Sequence, residues 1–303
     1  MNNYGLARRH PDYPVGVCGY PHILDAWNLT NPAVLGPGLY DHPKQNPTLM
    51  DRPHFHSYLT LCDWMRDEFA TVYDSDVLRP WFGGIDLGQW PQTKHLIKDV
   101  DVLVYDKIRW NRSSLVPDLL KPVLGELTRR SLRFELVRYG RYTHAEYRAL
   151  LRRSRSMLFL CEHETQGMAY QEAMASDLPI LAWDPGLWLD PNRERWGINP
   201  VKATSVPYFS EACGERFARP AEFVPALDQF LNNLGSYAPR RYVGERLSLE
   251  ESARLYLRAY FAAAHALTTR AGPGPAIRGA ASRAPVPARA LGVRPTSDEI
   301  LTH

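Results

Sequence analysis

Glu164 and Glu172 stand eight positions apart, with Gly167 between them. Glu164 follows an apolar run, 156–161, and Glu172 falls inside a short helix that opens at Gly167. A second apolar run, 179–183, comes next. A strand–helix–strand unit of this kind puts its loop and helix start at the carboxyl edge of a parallel sheet, where open α/β sheets bind ligands. The free N–H groups at Gly167, Met168 and Ala169 favour an anion there, and glycine, lacking a Cβ, lets it approach closely. Lys107 and Arg112 follow another strand end, five apart. Two fixed cations in such a place would stabilise charge developing on a departing oxygen. By residue type alone, all four groups are also ordinary surface charges.

The elements that must position them alternate. Residues 1–55 are rich in Pro, Gly, Asn, Asp and His, with two short apolar pieces, 15–18 and 33–35, that read as strands. Residues 57–61 read as a third strand, and 63–73 as a helix capped by Asp63. Paired glycines at Gly83 and Gly84 then break the pattern, and a domain boundary is expected by Trp90-Pro91. Beyond it, strands are expected at 100–105, 132–137, 156–161 and 179–183. Between the first two lies a helix opened by Ser113 or Ser114 and running to about Arg130. Pro117 suits its first turn and Pro122 does not, so a kink or a later start is expected. Thr143 and Glu146 form a capping box for a helix to Arg153. Residues 221–233 look helical, and a second capping box, Ser248 to Glu251, opens a helix ending near Leu267. This order predicts an α/β fold with a doubly wound parallel sheet. There is no internal repeat.

The composition fits an ordinary globular protein, 45% apolar in 303 residues, long enough for two domains. Its net charge of +3 comes from the end of the chain. Five arginines lie beyond Thr268 against Asp298 and Glu299, leaving 31 basic and 31 acidic residues before it. A neutral body argues against a general nucleic-acid surface. The tail, 268–303, has no apolar periodicity and reads as disordered. Cys18, Cys62, Cys161 and Cys213 are scattered without metal-site spacing, which predicts reduced thiols, no bound metal and a cytoplasmic location. No window approaches the length of a membrane span; peripheral contact with a membrane stays open.

The stretch from Glu164 to Trp183 resembles the Glu-x7-Glu signature of retaining glycosyltransferases with the GT-B fold, family four in particular. Glu164, Gly167, Glu172, Ala173, Met174, Ala175 and Pro179 match the pattern, while Thr165 and Asp177 each replace a glycine. Gly83-Gly84-Ile85-Asp86 resembles the Asn-Gly-Val-Asp that closes the family's first domain. Residues 102–112 resemble the strand and loop that carry a Gly-Arg and then a Lys; Asp106 stands for the Gly, Lys107 for the Arg and Arg112 for the Lys. The helix after Ser248 resembles the closing helix that packs back on the first domain. The likeness covers roughly 57–266 and is weak before residue 57.

The resemblance implies a GT-B-like architecture: a truncated N-terminal α/β domain (1–91) on the acceptor side, and a Rossmann-type C-terminal domain with closing helix (92–267). It implies transfer of a sugar from a nucleotide-diphosphate sugar to an acceptor hydroxyl, with retention, and with neither cofactor nor catalytic metal. Lys107 and Arg112 would hold the diphosphate, Gly167, Met168 and Ala169 would give N–H groups to a phosphate, Glu164 would contact the sugar and Glu172 the ribose hydroxyls. Glu162 and His163 would line the loop. Among His22, His42 and His54, His42 ranks first as an acceptor-side residue because it follows a glycine-rich strand exit. Only about 80 residues precede the Gly83-Gly84 boundary, against about 150 for two complete mononucleotide-type repeats. An earlier start than Met1 is the favoured expectation; a partner chain supplying the rest of the sheet, or loss of acceptor binding, are the others. If Met1 is the start, the first domain should show open strand edges. A non-catalytic nucleotide-sugar-binding module is the alternative function, and an epimerase or phosphorylase on the same scaffold a third.

Overall fold

The computed structural model describes residues 4–270. Most of the tail expected at 268–303 therefore lies outside the described residues. After helix α1 (Tyr4–Arg9), strands β1 (Val15–Val17), β2 (Ala33–Leu35), β3 (Phe55–Thr60) and β4 (Leu78–Pro80) form a parallel sheet in sequence order. Helix α2 (Asp63–Phe69) links β3 to β4, and its N-cap is Cys62, with Asp63 inside the first turn. Among the described residues β1 has a strand neighbour on one side only. Beside it runs a largely apolar cavity of about 520 Å³, lined by Tyr4, Val15, Trp27 and Tyr260 among others.

The inner strands of the second sheet are apolar at successive positions, the pattern of parallel strands covered on both faces. Strand β5 (Val100–Lys107) leads through α3 (Arg112–Leu115) and α4 (Lys121–Arg129) to β6 (Phe134–Arg138). Then come α5 (His144–Arg153), β7 (Ser154–Cys161), α6 (Met168–Ala175), β8 (Ile180–Trp183), β9 (Gly214–Phe217), α7 (Phe223–Asn232) and α8 (Pro239–Arg246). All five strands are parallel, in the order β6-β5-β7-β8-β9. Alternation sends Val102, Val104, Leu158 and Leu160 into one core with α4 and α7. It sends Leu103, Tyr105, Met157 and Phe159 into another with α5, α6 and α8. The chain leaves β5 toward β6 on one side and returns to β7 on the other, so the strand order reverses between β5 and β7. Their carboxyl ends, Lys107 and Cys161, are register partners at that reversal.

The proline-bearing helix departs from its expected start. It opens at Asn111, in a left-handed conformation, rather than at Ser113 or Ser114. A π-helical turn, Val116–Leu120, separates α3 from α4. Pro117 lies in the first turn of this segment and Pro122 in the first turn of α4, positions where a missing N–H is tolerated. Strands β4 and β9 and helix α8 carry little sequence signal. Both strands lie at sheet edges, where a Leu-Arg-Pro or Gly-Glu-Arg-Phe segment is tolerated.

Helix α9 (Leu249–Arg270) crosses back to the first sheet, where Ala259 and Ala263 pack on Val34 and Leu59. Ser248 Oγ accepts from the Glu251 N–H at 3.2 Å, and Ser252 Oγ donates to the Phe82 carbonyl at 2.7 Å. The linker lies directly against this helix start: Ile85 N–H donates to the Leu247 carbonyl at 2.8 Å. Glycine permits that approach, since a Cβ on Gly84 would stand 2.6 Å from Leu249 Cα. Among the described residues no helix is long and apolar enough to cross a membrane.

Gly84→Ala should therefore lower stability by about 1–3 kcal/mol, the usual cost of overpacking. Gly125→Ala, in α4 with nothing within 4 Å of the added methyl, should raise it by roughly 0.5–1 kcal/mol. Urea denaturation of the two variants beside the parent checks both signs.

Candidate functional site

Lys107 is the last residue of β5 and points to the same side as Leu103 and Tyr105, toward α5 and α6. Its Nζ pairs with Glu164 Oε1, and both side chains are nearly buried, 12% and 9% exposed. The ammonium also sits 4.3 Å from the ring centre of Tyr139. The loop that carries Glu164 is fixed from two directions. Its N–H donates to the Thr204 carbonyl at 2.9 Å, and its carbonyl accepts from Trp64 Nε1, on α2, at 2.8 Å. The Cys161 thiol lies 3.6 Å from Glu164 Oε1, and burial pushes that thiol well above its usual range.

Arg112 goes elsewhere. Asp106 faces α3 and α4, and its carboxylate takes the Arg112 guanidinium in a two-pronged pair at 2.9 and 2.8 Å. Arg112 also donates to the Ile108 carbonyl at 2.7 Å. The two cations expected to act together thus leave the strand end on opposite faces, and Arg112 is committed to its own loop. The cause is legible in hindsight: Asp106 replaces a glycine of the resembling pattern and captures the nearest arginine. Glu162, fully buried, accepts from the N–H groups of Arg109 and Trp110, each at 2.9 Å, and so fixes the same loop. Burial raises its carboxyl above the ordinary value. Arg109, which the spacing passed over, donates to the His163 carbonyl at 2.7 Å and lies on the Trp110 ring.

Gly167 caps α6 with φ of 77°. A Cβ there would meet the Tyr170 ring at 2.1 Å, so the position is closed to other residues on two counts. The first-turn N–H groups of α6, from Met168 and Ala169, have no intrahelical acceptor; Met168 is exposed. Glu172, one turn further along, is mostly buried with His144 Nε2, at 4.0 Å, as its nearest ionic partner. Desolvation pushes its carboxyl up to about 7, and Arg148 only partly opposes the shift. Tyr142 lies within electrostatic reach of both Lys107 and Glu172 and joins the two ends of the site.

His42 lies in the first domain and is buried. Its Nδ1 accepts from the Lys44 N–H at 3.1 Å, so Nε2 carries the proton and donates to Glu68 at 2.8 Å. Desolvation lowers its pKa and keeps the ring neutral. Both nitrogens are occupied, which leaves only the ring face; that face stacks on Trp196. His22 stacks on Tyr20, with ring centres 5.9 Å apart.

No family model matches the sequence, and no curated protein does. Solved structures do. TarM from S. aureus, in complex with fondaparinux, alpha-GlcNAc-glycerol and UDP, superposes with a TM-score of 0.55 at 12% identity, over 80% of this chain and 55% of that one. The chain has the GT-B fold. The lipopolysaccharide outer core galactosyltransferase WaaB gives a TM-score of 0.52 at 11% identity, over 86% of this chain and 78% of that one. The catalytic domain of starch synthase IV from Arabidopsis thaliana, bound to ADP and acarbose, gives 0.51 at 12%, over 86% and 75%. This chain therefore spans little more than half the length of TarM. Within the GT-B fold the gathered groups, Lys107, Glu164, Gly167 and Glu172, lie at the carboxyl edge of the second sheet, and Arg112 stands beside them without joining them.

Glu172 sets a pH dependence. Its folded-state value of about 7 exceeds the unfolded 4.5. The stability that the protonated form confers is thus complete below about 4.5 and lost as pH rises through 7. Glu172→Gln should leave urea stability near that of the parent at pH 4.5 and exceed it by roughly 1–3 kcal/mol at pH 8.

Proposed function

We propose that the protein is a glycosyltransferase that moves a sugar from a nucleotide-diphosphate sugar to an acceptor hydroxyl with retention of configuration. The observation that carries the reading is the pairing of Lys107 with Glu164 at the point where the sheet order reverses, beside the free helix start at Gly167. An anionic ligand entering there meets one ammonium and the N–H groups of Met168 and Ala169. The neighbouring carboxylate cannot face the phosphates, so it faces what is attached to them, and a sugar offers hydroxyls. Glu172, desolvated and poorly paired, accepts from the ribose hydroxyls.

In the reaction, the bond from the anomeric carbon to the phosphate oxygen breaks as the acceptor oxygen bonds to that carbon from the same side. The acceptor proton passes to the departing phosphate oxygen. Lys107 and the helix start stabilise the charge that develops on the diphosphate, and Glu164 stabilises positive character at the anomeric carbon. No metal or cofactor enters the scheme. Free thiols and a nucleotide-sugar substrate fit a cytoplasmic location.

The test is a transfer assay on a panel of nucleotide-sugars, with nucleotide binding measured by calorimetry. Glu164→Gln should abolish transfer while nucleotide affinity is kept or raised, because Lys107 loses the carboxylate that competes for it. Lys107→Ala should weaken nucleotide-diphosphate binding by about 1–3 kcal/mol. Arg112→Ala should leave that affinity nearly unchanged and instead cost about 3 kcal/mol of stability, because it strands the buried Asp106. Unchanged turnover in Glu164→Gln overturns the role given to it; binding without transfer to any acceptor leaves a nucleotide-sugar-binding module.

A further inference from the structure

Strand β1 bonds to β2 through alternate residues. Val15 N–H donates to the Pro32 carbonyl at 2.8 Å, and the Val17 carbonyl accepts from the Gly36 N–H at 2.7 Å. In such a parallel ladder the residue between turns its N–H and C=O the other way. Gly16 therefore aims both groups at the side where β1 has no strand neighbour among the described residues, and it is exposed there. One face of the strand is closed at the same point, because a Cβ on Gly16 would run into the Tyr256 hydroxyl of α9. Sheet edges are usually blunted by charge, by proline or by a covering element. Val15-Gly16-Val17 has neither charge nor proline, and α1, with no buried residue, leaves the cavity of about 520 Å³ beside the edge.

The surroundings of this edge are apolar and uncharged. Leu6, Tyr13, Ile23, Trp27 and Tyr260 are among the residues that line the cavity, and none of the lining residues carries a fixed charge. Leu6 and Tyr13 stand out from it, 45% and 57% exposed. On α9, Tyr256 and Tyr260 face β1; Leu257 and Phe261, each one position on, are turned further outward on that flank and are exposed. Trp27 Nε1, in the lining, is buried without an acceptor among the described residues. A bilayer would leave the Gly16 N–H and C=O unpaired in hydrocarbon, and the lining offers no fixed cation to anionic head groups. A charged polypeptide meets no opposite charge there. The occupant that matches is an uncharged, apolar strand edge, which is what the face itself is.

We propose that this edge joins two copies of the chain, β1 against β1, antiparallel at Gly16, so that the first sheet runs on from one copy into the other. A two-fold axis beside Gly16 makes the facing glycines a hydrogen-bonded pair, each donating its N–H to the other's carbonyl. That axis stands perpendicular to the sheet. The two α9 helices therefore lie on the same face, with Leu257 and Phe261 of each turned toward the other copy. The absence of charge in the lining removes the repulsion that a self-matching face would otherwise set up. Nothing in this assembly depends on the donor-side groups.

The experiment uses the whole chain. Sedimentation equilibrium over a concentration series should show a mass that rises to twice that of one chain. Tyr13→Glu and Phe261→Glu each bring two carboxylates to the joined face, and each should weaken the dimer about tenfold or more. Ile198→Glu, at an exposed residue between β8 and β9, should leave it unchanged. All three positions are on the surface of the single chain, so the far-UV circular dichroism of each variant should match the parent. Hydrogen exchange reads the edge itself: the Gly16 amide should exchange quickly in dilute protein and slow as the dimer fills. The proposal is overturned if the parent keeps the mass of one chain throughout the series, if neither glutamate variant at the edge weakens association, or if Gly16 exchange is indifferent to concentration.

Discussion

The Lys107–Glu164 pair sits where β5 and β7 diverge, and its existence depends on which way two consecutive side chains point. Successive residues of a strand face opposite sides. Asp106 looks toward α3 and α4, where Arg112 neutralises it; Lys107 looks toward α5 and α6, where it meets Glu164. Shifting β5 by one residue would exchange these environments and put a carboxylate against Glu164. The register is held by the alternation of Leu103 and Tyr105 against Val102 and Val104 across two separate cores. The packing of a plain parallel strand thus decides which charge faces the cleft.

A pair this well removed from water is stable only if its surroundings hold it in place. The first domain does much of that holding. Trp64 grips the Glu164 carbonyl, the Gln166 side chain accepts from the Gly83 N–H at 2.8 Å, and Tyr208 donates to the Leu61 carbonyl. The loop between β7 and α6 is therefore tied to α2 and to the inter-domain linker at once. Any opening of the cleft has to break these bonds, and α9, packed on Val34 and Leu59, resists it from behind.

What the sequence made legible was local. Thr143 and Glu146 form their expected capping box, with α5 running to Arg153 as anticipated. The inner strands of the second sheet, β5, β7 and β8, were visible because each holds a short run of buried apolar residues, and Gly167 because a glycine opening a helix lets a ligand approach closely. The fate of Arg112 was not legible: the choice between Asp106 and a ligand is a matter of side-chain direction, which spacing does not encode. Glu162 was seen only as a loop residue, because its role is to bind N–H groups some fifty positions away in the chain. Trp188 and Trp196 were missed for the same reason. Their segment has no periodicity, and the rings they touch, His42 and Trp64, come from far earlier in the chain.

Two carboxylates in one site are handled in opposite ways, and the contrast bears on how a donor would be held. Glu164 has its counter-ion already; Glu172 has burial and little else. An entering diphosphate competes for Lys107, and in doing so it strips Glu164 of its only ionic partner among the described residues. A nearly buried carboxylate left alone is costly, so the same ligand must bring hydrogen-bond donors to it. A ligand with phosphates at one end and hydroxyls at the other meets both demands together, whereas either half alone meets one and aggravates the other. Glu172 adds a third requirement, since hydrogen-bond donors reaching it would relieve a desolvation that folding imposed. Under the proposed function the site would take the charged and the hydroxylated parts of its ligand as a single unit, because the ion pair present beforehand has to be replaced on both sides at once.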